Sequence, residues 1–270
     1  LGRDKFVEEI WKWKKESGDQ ILNQLKKLGC SCDWSRNRFT MDADLSKAVI
    51  KTFVELYKKK IIYKDTKLVN WDTKLETAIS DLEVEQKEVQ SNLYYIKYKI
   101  ENSDNFLTIA TTRPETMLGD TAVAVNPNDI RYKKYIGKKI TVPIVEREVK
   151  IIADKYVSMD QGSGALKVTP AHDFNDFEIG TRHKLEFINI FEKNGALNQK
   201  VPRELVGLDR FEARSKIVKI LKERNLIEKI ENIQNAVPYG DRSNTIIEPL
   251  LTEQWFADAK FLSKKAIQAV

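Results

Sequence analysis

The chain has 270 residues, which is long enough to bury a sizeable hydrophobic core. Its content of 41% hydrophobic and 32% charged residues is that of a globular protein and excludes a disordered chain. No stretch approaches the roughly 20 apolar residues of a membrane span. The first residues lack the basic and then apolar order of a secretory signal, so a cytoplasmic protein is expected.

A formal net charge of +6 is a mild cationic excess, which favours a polyanionic partner such as RNA. Cys30 and Cys32 are the only cysteines, too few for a disulfide framework. A zinc site would also require His172 and His183, and the spacing of these four residues is unlike that of a zinc finger. We therefore expect no metal site.

The N-terminal part of the chain is predicted to be helical. Apolar residues recur at helical spacing between residues 6 and 28, and Gly18 and Gly29 interrupt the pattern. Asp42 is placed to cap a third helix with apolar residues on one side.

From about Leu68 the apolar pattern changes to the period of β-strands. Segments rich in β-branched and aromatic residues alternate with turn formers such as NSDN and EKNG. Strands are predicted at 68–71, 93–100, 106–112, 121–125, 139–145, 149–154, 164–169 and 187–191. Two helices interrupt them, one beginning near Asp173 and one at Asp209. The predicted fold class is α+β and mostly β, a curved-sheet or barrel-like domain with peripheral helices, preceded by a helical segment.

These patterns predict three parts of the chain. Residues 1–72 form the helical segment, residues 73–247 the mostly β domain, and residues 248–270 a tail. A lead and a tail that flank a complete domain are typical of a domain inserted into another fold. We therefore expect the lead and the tail to belong to the surrounding protein.

Residues 111–121, TTRPETMLGDT, follow a predicted strand and gather hydroxyls, a guanidinium and carboxylates in one turn. Such hydroxyls and backbone amides hold a ribose or an ester carbonyl, and Arg113 suits a phosphate or a carboxylate. The same residues also fit a plain turn in which Arg113 bridges to Glu115 or Asp120. Residue type alone leaves both interpretations open.

Residues 162–176, GSGALKVTPAHDFND, run from a glycine turn through a strand into the start of a helix. Strand alternation places Lys167 and Thr169 on one face, and Asp173 and Asp176 share a face of the first helical turn. The segment therefore brings an ammonium, a hydroxyl and two carboxylates to one rim. Both aspartates could instead act only as helix caps.

Covalent catalysis is disfavoured by the pattern around Ser163. A triad with His172 and Asp173 is conceivable, but Gly162-Ser163-Gly164 is not the G-x-S-x-G elbow of serine hydrolases. The glycine pair also matches no dinucleotide or P-loop fingerprint.

Together, TTRPETMLGDTAVAVNP and GSGALKVTPAHDFNDFEIG resemble the signature segments of the editing domain (CP1) of valyl-tRNA synthetases, inserted in a class I synthetase catalytic domain. LGCSCDWSRNRFTMD, KLVNWDTKLETAISDLEVE and NAVPYGDRSNTIIEPLLTEQWF are similar to the family's flanking stretches, so nearly the whole chain is covered. Leucyl and isoleucyl synthetases carry related editing domains. The isoleucyl type usually has a tryptophan where this chain has Glu115-Thr116-Met117, and the leucyl type diverges in the flanks.

The resemblance implies hydrolytic proofreading of threonyl-tRNA(Val), with the acceptor end of tRNA(Val) as partner and no cofactor for the editing fragment. The parent enzyme ligates valine to this tRNA with ATP and Mg²⁺. The His-x-Gly-His and Lys-Met-Ser-Lys-Ser elements that activate the amino acid do not occur here, so no activation of valine is expected from this chain. A monomer without membrane contact is expected.

The resemblance also implies roles for individual residues. Lys167 is expected nearer the threonyl hydroxyl and Asp176 nearer the α-ammonium, with Thr169 and Asp173 completing that wall. The expected substrate-binding residues are Thr112, Arg113, Thr116, Lys167, Thr169, Asp173 and Asp176, and the expected catalytic residues are Thr116, Asp173 and Asp176.

The arginine-threonine turn is expected to hold the rest of the substrate. Arg113 and Thr116 orient the ester and the terminal adenosine, and Thr112 shapes the turn. Water is expected to attack the ester directly, without an acyl-enzyme or a metal. Three alternatives stay open: a module that binds the acceptor end without hydrolysis, a metal-free esterase for small molecules, and a purely structural insertion.

Overall fold

The computed structural model describes residues 1–270, and the chain divides into two compact units. The first unit is residues 1–63 with 257–270, and the second is residues 64–256. The division into domains at residues 72 and 247 remains a prediction. None of the helices combines the length and the apolar character needed to cross a membrane.

The chain forms six α-helices and ten β-strands. The helices are α1 (Arg3–Ser17), α2 (Gln20–Lys27), α3 (Ala43–Lys58), α4 (Phe174–His183), α5 (Arg210–Glu223) and α6 (Ala259–Ala269). The strands are β1 (Ile62–Asp72), β2 (Thr77–Ile79), β3 (Val84–Ile100), β4 (Phe106–Thr111), β5 (Ala122–Val125), β6 (Lys139–Val142), β7 (Arg147–Ala153), β8 (Ala165–Val168), β9 (Ile227–Gly240) and β10 (Glu248–Ala257).

The first unit contains α1, α2, α3 and α6, and the first three of these confirm the predicted N-terminal helical segment. The helical part is shorter than the predicted range of residues 1–72, because β1 begins at Ile62. Helix α1 ends at Ser17, directly before Gly18, and α2 ends shortly before Gly29, in agreement with the predicted interruptions. Asp42 directly precedes α3, but its carboxylate accepts a hydrogen bond from the Phe39 N–H instead of capping the helix. None of the residues in these four helices is buried.

The second unit is built on two β-sheets. The smaller sheet has the strand order β10-β1-β2, and the larger follows β4-β3-β6-β7-β5-β8, with β9 also paired to β3. Strand β3 has 17 residues and pairs with β9 along its first part and with β4 along its last part. The pairing of β3 with β9 shifts register between Tyr95 and Ile96. The predicted class, a mostly β fold with a curved sheet and peripheral helices, is confirmed.

The hydrophobic core of the second unit lies between the larger sheet and α5. Ile96, Tyr98 and Ile109 are buried on the sheet side, and Ile217 and Leu221 are buried on α5. Full burial of an aliphatic side chain contributes about 1.5–3 kcal/mol. This packing holds α5 against a short 3-10 helix, Pro114–Gly119, that carries part of the first candidate segment.

One predicted strand is absent from the structure, and three observed strands, β2, β9 and β10, were not predicted. Residues 187–191 are not a strand, and only Phe191 makes an isolated bridge, to Leu197. Their apolar character instead reflects burial of Ile188 and Ile190 in the core. The apolar pattern also does not predict β9, because β9 is polar and is held as a strand by its pairing with β3, far away in sequence.

Strand β8 carries the second candidate segment into the sheet. It pairs antiparallel with β5, and Lys167 lies opposite Val123. The pairing continues past the strand end, where the Thr121 N–H donates to the Val168 carbonyl over 3.0 Å. The end of the first candidate segment is thereby held beside the end of β8.

Helix α4 follows β8 and begins after Asp173, as predicted. Gly180 allows α4 to approach the chain after β8, since a methyl group at this position would lie 2.6 Å from the Pro170 ring. Helix α5 likewise begins after Asp209, whose carboxylate accepts a hydrogen bond from the Phe211 N–H.

Candidate active site

The segments 111–121 and 162–176 face one cavity of about 290 Å³. Its lining includes every residue predicted to bind substrate: Thr112, Arg113, Thr116, Lys167, Thr169, Asp173 and Asp176. Leu93, Ala110 and Leu166 add an apolar part of the wall, and Tyr156 adds an aromatic one. The fold therefore brings both predicted segments together, while the roles of the individual residues remain predictions.

Lys167 and Thr169 belong to a buried chain of polar groups that ends on Asp120. The Lys167 ammonium donates to the Thr169 hydroxyl and lies 3.4 Å from Asp120 Oδ1. The Thr169 hydroxyl donates to the same Oδ1 over 2.6 Å, and the Tyr98 hydroxyl donates to Oδ2 over 2.7 Å. Because an ionised carboxylate only accepts, one lone pair on Thr169 Oγ1 and at least one Lys167 N–H remain for a ligand.

Asp120 is a buried carboxyl group with three donors around it. Burial raises its pKa, and the charge of Lys167 and the hydrogen bonds from Thr169 and Tyr98 offset part of that rise. Burial and the charge of Asp120 in turn hold the pKa of Tyr98 well above its ordinary range, so Tyr98 stays a donor. The three donors thus fix the direction of the hydrogen bonds behind the cavity wall.

We expect Tyr98→Phe to lower the free energy of unfolding by about 1.5–3 kcal/mol, because it deprives a buried carboxylate of a donor. Urea denaturation measures this loss. Tyr95→Phe is the matched control, since the Tyr95 hydroxyl bonds to Glu231, which is 43% exposed. A loss of the same size in both variants would contradict the role given to Asp120.

Asp176 lies at the start of α4 and is 5% exposed. Its Oδ2 accepts a hydrogen bond of 2.8 Å from the Thr169 N–H, which ties the helix to the end of β8. Burial raises the pKa of Asp176 to about 7, the negative charges of Asp173 and Asp120 add to the rise, and Lys167 opposes it. A carboxyl group poised near neutral pH loses its proton readily when a cation such as an ammonium group approaches.

Asp173 is the N-cap of α4. Its Oδ1 accepts from the N–H groups of Asn175 and Asp176, over 2.8 and 3.1 Å. The helix-cap interpretation left open by the sequence is therefore correct for Asp173, although Asp173 also lines the cavity. Asp176 is not the cap, and its carboxylate faces the β8 side instead.

The turn of the first segment is held by its own threonines. Thr111 Oγ1 accepts from the Arg113 N–H over 3.0 Å, and the Thr116 hydroxyl donates to the Arg113 carbonyl over 2.9 Å. Since Thr116 is buried and its proton is used, it can offer a ligand only an oxygen lone pair. Thr112 makes no side-chain hydrogen bond within the protein and lines the cavity.

The Arg113 guanidinium is held by three protein groups. It donates to Glu115 Oε1 over 3.3 Å, to the His172 carbonyl over 3.1 Å and to Glu248 on β10 over 2.5 Å. The bridge to Glu115 left open by the sequence is present, and Asp120 bonds to Lys167 and its neighbours instead. Arg113 therefore connects the turn before α4 to β10.

His172 is a buried, neutral side chain. Burial, together with the positive charges of Arg113 and Lys167, holds its pKa well below its ordinary value. Its Nε2 accepts a hydrogen bond from the Ile190 N–H over 3.0 Å. The Ser163 hydroxyl donates to the Ala165 carbonyl over 3.1 Å, so the two residues do not form a nucleophile and base pair.

Several site residues lie outside the sequence-based prediction. Asp120 was considered only as a partner of Arg113, and Tyr98, Arg214 and Glu248 were not considered. Asp120 lies within the first segment, and its carboxylate beside the predicted turn could have identified it as a site residue. Glu248 is 135 residues from Arg113 along the chain, and no local pattern indicates that contact.

Comparison with known proteins gives a consistent result. The family model for tRNA synthetases class I (I, L, M and V) matches residues 1–270. The valine–tRNA ligase of Pelagibacter ubique (strain HTCC1062) is 67% identical over 266 residues, covering 98% of this chain and 30% of that protein. The valine–tRNA ligase of Bradyrhizobium diazoefficiens is 56% identical over 292 residues, covering 100% of this chain and 30% of that protein. The chain thus spans about 30% of the length of these relatives.

Among solved structures, a LeuRS-tRNA-LeuAMS ternary complex from Agrobacterium radiobacter K84 matches with a TM-score of 0.42 and 17% sequence identity. The match covers 83% of this chain and 36% of that one.

Proposed function

This chain belongs to the class I tRNA synthetase family, and from that premise we propose that it removes threonine from mischarged threonyl-tRNA(Val) by hydrolysis of the ester. In this proposal it is the editing part of a longer enzyme that ligates valine to tRNA(Val) with ATP and Mg²⁺. The relatives that share more than half of its residues are valine–tRNA ligases, which supports the choice of valine over leucine or isoleucine.

The observation that carries the proposal is the polar wall of the smaller cavity. Lys167 and Thr169 offer one N–H and one lone pair side by side, which suits a hydroxyl group that both accepts and donates. Valine would leave these groups unpaired at a cost of about 1–3 kcal/mol each. The cavity therefore favours a threonyl over a valyl end, which is the preference that proofreading of this tRNA requires.

Asp176 is the proposed partner of the substrate α-ammonium. It combines burial with a carboxylate oxygen that makes no hydrogen bond within the protein, and an ammonium next to it would stabilise the ionised form. The opposite wall, with Thr112, Arg113 and Thr116, orients the ester and the terminal adenosine. Water then attacks the ester carbonyl directly, and positioning and electrostatics supply most of the rate.

A deacylation assay tests the proposal. The chain is incubated with threonyl-tRNA and valyl-tRNA that carry the valine anticodon, and release of each amino acid is followed over time. We expect the threonyl ester to be hydrolysed and the valyl ester to be left intact. Equal cleavage of both esters, or cleavage of neither with retained tRNA binding, would favour a module that only binds the acceptor end.

A further inference from the structure

A second and larger cavity of about 900 Å³ adjoins the candidate active site. Its walls come from the β3–β9 pair, the first turn of α5 and the start of β10. Thr112, Arg113 and Asp173 line both cavities. A ligand whose reacting end occupies the smaller cavity can therefore extend past Arg113 into the larger one.

Five charged side chains form an alternating chain at this boundary. In spatial order they are Arg214, Glu115, Arg113, Glu248 and Arg210. Three guanidinium groups thus share two carboxylates, so these five side chains together carry one more positive than negative charge. We call these five residues the arginine chain.

The uncompensated charge is placed at Arg210. This side chain is 2% exposed, its Nε has no hydrogen-bond partner, and it lines the larger cavity. The carboxylate it approaches, Glu248, lies 3.8 Å away and already binds Arg113. The Arg210 Nη1 and Nη2 groups donate to the Thr73 hydroxyl and the Ile246 carbonyl, which are neutral and do not balance its charge. An anion in the adjoining cavity would lower the cost of burying that charge.

Two other arginines of the chain are accessible to such an anion. Arg113 and Arg214 are each 28% exposed and line the larger cavity. Arg214 uses Nε and Nη2 to hold Glu115, which leaves Nη1 for a ligand. The guanidinium groups of Arg210 and Arg214 both lie over the ring of Phe211, at 4.9 and 5.3 Å from its centroid, and the ring holds the two arginines beside each other.

We propose that the larger cavity is a phosphate-binding subsite in which Arg113 and Arg214, backed by Arg210, hold a phosphate of the RNA strand. The assignment rests on the proposed function, which places the aminoacylated adenosine in the smaller cavity. The phosphate is then the one on the 5′ oxygen of that adenosine.

A pair of minimal substrates isolates this contact. They are adenosine carrying a threonyl ester on its ribose, with and without a 5′-phosphate. We expect the chain to hydrolyse the phosphorylated ester with a kcat/KM about 10- to 100-fold higher, the range of one charge-assisted contact. In Arg214→Gln this ratio should fall close to one, and Arg214→Lys should keep part of it.

Arg224→Gln is the matched control, because Arg224 follows α5 and pairs with Glu146 at the surface. It should keep the wild-type ratio. Inorganic phosphate should compete with the phosphorylated ester and leave the phosphate-free ester unaffected. Each measurement is a ratio of two esters on one protein, so partial loss of folded protein does not alter it.

The outcomes separate this subsite from the proposed function. Hydrolysis of both esters at equal rates by the unmodified chain would overturn the phosphate subsite and leave the editing function standing. Hydrolysis of neither ester, with threonyl-tRNA also intact, would instead overturn the editing function. If Arg214→Gln kept the full preference of the unmodified protein for the phosphorylated ester, the arginine chain would not be the source of that preference.

Discussion

Asp176→Asn is expected to lower kcat/KM for hydrolysis of threonyl-tRNA(Val) by about 100-fold or more, the scale of losing one partner of a buried charge pair. The asparagine keeps the shape of the side chain and can still accept from the Thr169 N–H, so the helix start is preserved. It loses the negative charge that pairs with the α-ammonium. Single-turnover deacylation at saturating and at low protein concentration separates weaker binding from slower chemistry.

The pH dependence gives this prediction a second readout. Since the pKa of Asp176 is raised to about 7, its charged form is lost as the pH falls below that value. Wild-type kcat/KM should therefore rise between about pH 6 and pH 8, and the variant should lack that rise. The α-amino group of the substrate, whose ordinary pKa is about 7.7–8.0, titrates at the upper end of this range. Its loss of charge there limits the wild-type rise, so the two proteins are compared at each pH.

The free energy of unfolding of the wild type should fall over the pH range in which its kcat/KM rises. The folded pKa of Asp176 lies above the ordinary value of 3.8, so the folded protein holds an extra proton between these values. The wild type therefore loses up to about 4 kcal/mol relative to Asp176→Asn as the pH rises from about 4 to about 7. A variant that is inactive because it is unfolded would show no cooperative transition in urea titrations.

Asp104→Asn is the control for the activity measurement, since Asp104 lies in the exposed turn between β3 and β4 and lines neither cavity. It should deacylate at the wild-type rate. Full activity in Asp176→Asn would remove Asp176 from the proposed mechanism.

Glu115→Ala is expected to lower the free energy of unfolding by about 3–5 kcal/mol, the cost of breaking a buried ion pair from one side. Glu115 is fully buried and accepts from Arg214 over 2.7 and 2.8 Å as well as from Arg113. Without it, two partly buried guanidinium groups lose their shared carboxylate. Urea denaturation near neutral pH measures the loss.

The pH dependence of this loss follows from the direction of the Glu115 pKa shift. Burial alone would raise the pKa of Glu115, but the hydrogen bonds and charge of Arg214 and the charge of Arg113 lower it below 4.5. The stabilisation is thus present above the ordinary pKa and is lost as the pH falls through the folded one. The difference between wild type and variant should shrink in acid.

Glu148→Ala is the matched control for Glu115→Ala. Glu148 pairs with Lys139 at the surface over 2.7 Å, and such pairs contribute about 0–1 kcal/mol. Equal losses of unfolding free energy in the two variants would show that the buried ion pairs of Glu115 stabilise the fold no more than a surface pair does.

The parts of this protein that could be predicted from sequence are those set by local pattern. Hydrophobic period separated the helical segment from the β domain, because side-chain burial repeats every 3.6 residues in a helix and every two in a strand. Both candidate segments are short strand–turn and strand–helix units, so Asp173 and Lys167 could be placed within them from neighbouring residues alone. Residues 187–191 were wrongly predicted to form a strand, because a short apolar run indicates burial and does not by itself indicate a conformation.

Tertiary structure decided which distant groups meet and how their charges are balanced. Asp120 and Tyr98, like Arg113 and Glu248, come together only when strands separated in sequence pack against each other. Burial then set the pKa of Asp176 near 7, since the cost of desolvating a charge depends on everything that surrounds it. Residue types and their spacing thus determined what chemistry the chain can offer, and packing decided where each proton and charge resides.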